Sequence, residues 1–236
     1  SLELGGKSPN VVFTDANIDA AVAGSFFGIY LNTGQVCQAG SRLLLQESIK
    51  DEFMAKLQAF TKTVKVGSPD DPTTTMGPVI NEQQLEKVVR YVQVGQEEGA
   101  KMLCGGGRLT GDAYDKGLFV QPTIFDNVKN DMTIAREEIF GPVLSVLTFK
   151  DADEALRLAN DTIYGLASAV WTKNIDTAFK MAKGIQAGTV WVNSYHSAGL
   201  PFMPYGGYKQ SGVGRELGHE GLDEYMETKA IQIKLG

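Results

Sequence analysis

The chain has 236 residues, 43% of them hydrophobic and 21% charged, which is ordinary globular composition and enough for a substantial core in one large domain or two small ones. A net charge of −6, with no Lys/Arg cluster, argues against a nucleic-acid partner, and no apolar run is long enough to span a bilayer. The two cysteines, Cys37 and Cys104, are too few for a disulfide framework, and with no secretory leader in view a reducing, cytoplasmic setting is the expectation.

In chain order, residues 10–13 are a short apolar run between Pro9 and Asp15 and read as a buried strand. A helix over Ile18–Tyr30 follows, capped by Asp15 or Asn17, and Asn32-Thr33-Gly34 breaks it, leaving Cys37 in a loop before a strand at Arg42–Gln46. A helix over residues 49–64 carries Phe53, Leu57 and Phe60 at three- and four-residue spacing. Asn81 caps the next helix, over residues 82–98, whose inward stripe is Leu85, Val88, Val89 and Val92.

Short strands are expected at Lys101–Cys104 and over residues 119–124, and a longer one at Val143–Phe149. Asp151-x-x-Glu154 resembles a capping box for a helix to Asn160. Strand Ala167–Trp171, a helix over residues 175–183 and a strand over residues 189–193 complete a βα rhythm, which implies an α/β fold with a mostly parallel, doubly covered sheet. Residues 195–221 are rich in Gly and Pro and read as a long irregular stretch. Residues 228–235 alternate cleanly, as a half-buried strand that pairs with another chain or domain should. We therefore expect a catalytic α/β domain over 1–225, with its irregular tail from about 195, and an oligomerisation strand over 226–236.

Several signatures fail. Gly6-Lys7-Ser8 lacks the upstream glycine of a phosphate loop, and Gly212-Val213-Gly214 runs to Gly218, one residue too far for a dinucleotide fingerprint. His219-Glu220 has no second histidine in zincin spacing, no G-x-S-x-G elbow exists, and no metal site is expected. Cys104 ends a strand beside a glycine run and reads as a small packed side chain. Cys37 differs, flanked by Gln35, Gln38 and Gly40 on a loop, and Glu3 lies 34 positions before it, with a strand and a helix between that return the chain to one sheet edge. A carboxylate near a loop cysteine offers a base beside a nucleophile.

Four motifs then occur in order: Glu3-Leu4-Gly5-Gly6-Lys7-Ser8-Pro9, Gly34-Gln35-x-Cys37, Glu137-Glu138-Ile139-Phe140-Gly141-Pro142-Val143, and Tyr205-Gly206-Gly207-Tyr208-Lys209-Gln210-Ser211-Gly212 with Gly214-Arg215-Glu216. Over essentially its whole length the sequence resembles the aldehyde dehydrogenase superfamily. Members are about twice as long, so the resemblance implies a catalytic half whose N-terminal cofactor-binding half is absent, and Ser1 running straight into the first motif reads as a cut at a domain boundary. It implies Cys37 as nucleophile and Glu3 as general base. It implies NAD or NADP as cofactor, bound mainly by the absent half, with Glu138 on the nicotinamide ribose, Phe140 packing against that end, and Leu4 and Gly5 beside the ring.

Tyr205 stands where the family places an aromatic wall of the substrate tunnel, and Ser194, Tyr195, His196 and residues 200–205 are expected at its entrance. The family's oxyanion-stabilising asparagine lies upstream, which leaves the Cys37 backbone N–H as donor. The partners implied are an aldehyde, the absent half, and copies of the chain in a homodimer or homotetramer. Three functions follow: aldehyde oxidation by the parent enzyme, with the isolated piece inactive as a dehydrogenase; cofactor-independent ester hydrolysis by Cys37 and Glu3; or a non-enzymatic assembly module. Of the two thiols, Cys37 is expected to label faster than Cys104.

Overall fold

A computed structural model describes residues 1–111, 113–196 and 202–236. Its centre is a seven-stranded sheet assembled from β2 (Pro9–Val12), β3 (Arg42–Gln46), β4 (Lys101–Cys104), β5 (Thr123–Asp126), β6 (Val143–Phe149), β7 (Ala167–Trp171) and β8 (Thr189–Val192). The spatial order is β4-β5-β6-β3-β2-β7-β8; all neighbours are parallel except the edge pair β4–β5. The central strands are apolar on both sides because both faces are covered. Val11, Leu44, Leu147 and Val170 face one core, while Val12, Leu43, Leu45, Val146 and Ala169 face the other.

The helices of the second core are α1 (Ile18–Tyr30) and α2 (Lys50–Thr61), which pack together; α3 (Glu82–Glu97), α5 (Ala152–Asn160) and α6 (Ile175–Gly184) contribute to the first. Their starts follow local chemistry: the side chains of Asn17, Asn81, Asp151 and Asn174 each accept a first-turn N–H. Asp15 does not cap α1. It accepts instead from the Thr172 hydroxyl and the Lys173 and Asn174 N–H groups, tying β2 to the end of β7.

Several expectations are corrected by the packing. Phe60 is 42% exposed and Val89 37% exposed, and the inward face of α3 includes Tyr91 in place of Val89. Residues 119–124 yield a strand only from Thr123, because Val120 forms a single bridge to Arg108. Residues 228–235 form no strand among the described residues and stay exposed, with Ile231, Ile233 and Leu235 at 76%, 75% and 88%. The apolar side of their alternation stays exposed, with none of the described residues covering it.

The irregular tail is tied down more firmly than its composition suggests. A two-stranded antiparallel ribbon joins β1 (Leu2–Glu3) to β9 (Gly212–Val213), and Tyr205 and Glu216 exchange backbone hydrogen bonds of 2.7 Å in both directions. Ser211 is fully buried and donates to the Gly5 carbonyl at 2.7 Å. The short helices α4 (Thr133–Arg136) and α7 (Glu220–Asp223) complete the chain.

Candidate active site

Three of the four motifs immediately precede strands that are neighbours in the sheet. Residues 3–7 lead into β2, Cys37 into β3, and Glu138 into β6, whose spatial order is β6-β3-β2. Parallel adjacent strands bring all three loops to one edge of the sheet. It is the amino edge, opposite to the carboxyl-end crevice that open α/β sheets ordinarily use.

Close backbone contacts lock the loops together. A side chain at Gly6 would meet the Cys37 carbonyl oxygen at 2.3 Å, and one at Gly34 would meet the Gly141 carbonyl at the same distance. Asn32, Thr33 and Gly34 have φ of 49°, 60° and 70°, a run of left-handed backbone that turns the chain sharply out of α1. The strain is held by Thr33 donating to the Gly77 carbonyl at 3.0 Å and by Gln35 accepting the Ile80 N–H at 2.9 Å.

Cys37 is half-buried, and its Sγ lies 3.5 Å from the Tyr205 hydroxyl, 168 residues away in sequence. Glu3 faces the same sulfur closely enough to act on its ionisation. Burial pushes the Cys37 thiol up to about 11; the Tyr205 hydroxyl and the Gln38 N–H favour the thiolate, while Glu3 opposes it as a hydrogen-bond partner of the thiol and as a negative charge. Burial, then the neighbouring Cys37, hold the Tyr205 hydroxyl far above its ordinary range, so Tyr205 is a donor to the thiolate. The resemblance implied Tyr205 only as a wall; its hydroxyl is a further polar partner of the sulfur.

The residues expected on the cofactor side gather beside it. Glu138 Oε1 accepts the Gly6 N–H at 3.0 Å, its Oε2 lies where a Gly5 side chain would project, at 2.4 Å, and Leu4 is 48% exposed. Phe140 adopts φ 58° and shares a small cavity with Gly6, Gly34, Val36, Glu138 and Gly141. A carboxylate accepts a sugar hydroxyl well, so the chemistry of Glu138 fits the ribose end of a dinucleotide.

Tyr195 is corrected from an entrance residue to a support. It is 6% exposed, its ring packs against Gly28, Gly40 and Trp191, and its hydroxyl donates to the Gln38 carbonyl at 2.7 Å. His196 lies against the rings of Phe27, Trp191 and Tyr195 and hydrogen-bonds Gln38 at 2.7 Å; burial lowers it to about 4, so it is neutral. Of the expected entrance segment, Leu200 and Pro201 lie outside the described residues.

Arg42 went unnoticed in the sequence. It is fully buried, donating to the Lys7 carbonyl, to Asn130, and to the Leu158 and Ala159 carbonyls at the end of α5, at 2.9–3.1 Å. It thus clamps the Glu3–Lys7 segment to the body; the signal was a lone cation opening the apolar run Leu43-Leu44-Leu45. Lys7 is equally buried, and its Nζ has no hydrogen-bond partner among the described residues; burial and then Arg42 lower it to about 7. Cys104 is half-buried at the far edge of the sheet, packed against the second core as a small side chain, and burial raises its thiol too.

Comparison with known proteins places the whole chain in one family. The family described as "Aldehyde dehydrogenase family" matches residues 1–231. The chain is 50% identical to a mitochondrial aldehyde dehydrogenase of Mesocricetus auratus over 235 residues, covering 100% of this chain and 46% of that protein. It is 45% identical to a betaine aldehyde dehydrogenase of Brucella anthropi, of which it covers 48%. Among solved structures, an NAD-dependent aldehyde dehydrogenase from Sinorhizobium meliloti superposes with a TM-score of 0.96 at 50% identity, over 100% of this chain and 46% of that one. A Staphylococcus aureus betaine aldehyde dehydrogenase, solved with NAD+ and a mercaptoethanol-modified cysteine, gives 0.94 at 48% identity, over 97% and 46%. The chain spans about half the length of these relatives, and it belongs to the aldehyde dehydrogenase family.

Proposed function

We propose that this chain is the catalytic half of an NAD- or NADP-dependent aldehyde dehydrogenase that oxidises an aldehyde to a carboxylic acid. The observation that carries the reading is the convergence of Cys37, Glu3 and Tyr205 on one point from three distant segments. The Cys37 sulfur adds to the aldehyde carbon to form a thiohemiacetal, and its own backbone N–H is the donor this chain offers the developing oxyanion. Bound NAD or NADP supplies a hydride acceptor, held at its ribose end by Glu138 with Phe140, Leu4 and Gly5 alongside. Loss of the hydride leaves a thioester on Cys37.

Glu3 then takes a proton from water, whose oxygen attacks the thioester carbon, releasing the acid and restoring the thiol. Glu3 is exposed, which suits a base that must meet solvent. A resting thiol near pKa 11 suits an enzyme that ionises its nucleophile only as substrate and cofactor assemble. The Tyr205 ring is the substrate wall. The exposed residues 226–236 are the segment through which copies pair as a dimer or tetramer, becoming a strand when a partner edge supplies the hydrogen bonds, and the setting is cytoplasmic.

In the full-length protein, Cys37→Ala should abolish aldehyde-dependent reduction of NAD or NADP. Glu3→Gln should give one rapid turnover per site and then stall with a thioester on Cys37, seen by intact mass. Steady oxidation by Cys37→Ala would overturn the reading. Cofactor-free hydrolysis of activated esters by the same pair remains the alternative activity. It would be favoured if the full-length protein hydrolysed such esters but reduced neither cofactor.

A further inference from the structure

Cys37 and Gln38 are the two central residues of a four-residue turn, closed by the Ala39 N–H donating to the Val36 carbonyl at 3.0 Å. The peptide between them has its carbonyl packed against Gly6, while its N–H, that of Gln38, bonds the sulfur and favours the thiolate. The rest of Gln38 is gripped by two residues 157 and 158 positions away. Its own carbonyl accepts the Tyr195 hydroxyl at 2.7 Å, and its side-chain amide nitrogen donates to His196 Nδ1 at the same distance. Gln38 is buried, so water competes little for either bond. The His196 ring is itself fixed, with Phe27, Trp191 and Tyr195 at centroid distances of 5.7, 5.6 and 4.8 Å. Burial keeps that ring neutral, near 4, so Nδ1 remains an acceptor at neutral pH.

We propose that His196 is a positioning residue for the nucleophile. By holding the Gln38 side chain while Tyr195 holds its carbonyl, it fixes the 36–39 turn so that the Gln38 N–H stays on the Cys37 sulfur. His196 touches neither the sulfur nor the substrate in this role; it acts through Gln38. The inference rests on Cys37 being the nucleophile and adds a residue that the carboxylate and the Tyr205 hydroxyl do not replace. With the side-chain bond gone, one of the two grips on Gln38 is lost, the Cys37–Gln38 peptide can tilt, and the thiolate loses part of a charge-assisted hydrogen bond.

The test is iodoacetamide alkylation of the full-length protein at pH 8, followed by peptide mapping. His196→Leu, close in size but with no acceptor, should slow Cys37 about threefold and leave Cys104 unchanged. Wider access or unfolding would quicken alkylation, so a slowing reads the sulfur itself. His196→Asn keeps an acceptor near the Nδ1 position and should recover most of the rate, which a residue needed only for packing would not allow. Gln38→Leu should slow Cys37 as His196→Leu does, and the double variant should be no slower than either alone, because both break one bond. A wild-type rate in His196→Leu, no recovery in His196→Asn, or additive slowing in the double variant would overturn the proposal. Alkylation needs no turnover, so a protein that reduced neither cofactor would sink the dehydrogenase reading and leave this test standing.

Discussion

Cys37 and Cys104 are the two free thiols of this chain, each half-buried and each raised by burial, yet their neighbourhoods share little. Cys37 is met by a hydroxyl and a carboxylate carried in from remote segments, while Cys104 has a lysine, a proline carbonyl and an open recess. Burial alone therefore does not separate a nucleophile from a packed cysteine. What separates them is that the partners of Cys37 act in opposite directions on one proton: Tyr205 favours the thiolate and Glu3 the thiol. The expectation that Cys37 labels faster than Cys104 finds no support in its ionisation, since burial pushes its thiol up to about 11.

The largest effect that tests this contrast is in pH. Because the Cys37 thiol is raised, its thiolate fraction grows throughout the range below about 11, and iodoacetamide alkylation of Cys37 should rise about tenfold per pH unit from pH 7 to 10. A rate already level near neutrality, followed by peptide mapping, would mean the sulfur is ionised at rest.

Next in size is the clamp beneath the site. Arg42→Met leaves the Lys7, Leu158 and Ala159 carbonyls without their donor, and urea unfolding should show a loss of about 3 kcal/mol or more. Below the unfolding transition, Cys37 should become more accessible to a thiol reagent and Cys104 should not. A loss under about 1 kcal/mol would show that other donors replace the guanidinium.

The smallest effect is the most diagnostic. Glu3→Gln removes the group that opposes ionisation, so Cys37 alkylation at pH 8 should quicken about threefold, whereas Tyr205→Phe should slow it by a similar factor. Neither should alter Cys104. Shifts of the same sign, or an equal response at both cysteines, would dissolve the distinction.

Where neighbours in sequence set the structure, it was legible. Asn81 and Asp151 cap their helices as their positions suggest, and the apolar run of β6 fills two cores because its residues are apolar on both sides. Residues 228–235 show the limit of such reading: alternation signals a strand, but a strand exists only when a partner edge supplies hydrogen bonds, and the described residues supply none. Phe60 and Val89 obey a helical spacing yet face outward, since periodicity defines a stripe and the neighbouring elements decide how wide it is.

The order of the motifs and their residue types already contained the chemistry of a thiol and a base. Only the tertiary structure decided that they meet, because strand order is a non-local choice. With β6, β3 and β2 adjacent and parallel, the loops before them share an edge, and any other order would scatter them. The Tyr205 hydroxyl and the Arg42 clamp were invisible for the same reason: each depends on contacts more than 30 residues away, 168 for Tyr205 and 35 to 117 for the Arg42 clamp. Local sequence carries no energy term for contacts at that range; they are settled only when the packed sheet fixes which backbone carbonyls and side chains face each other.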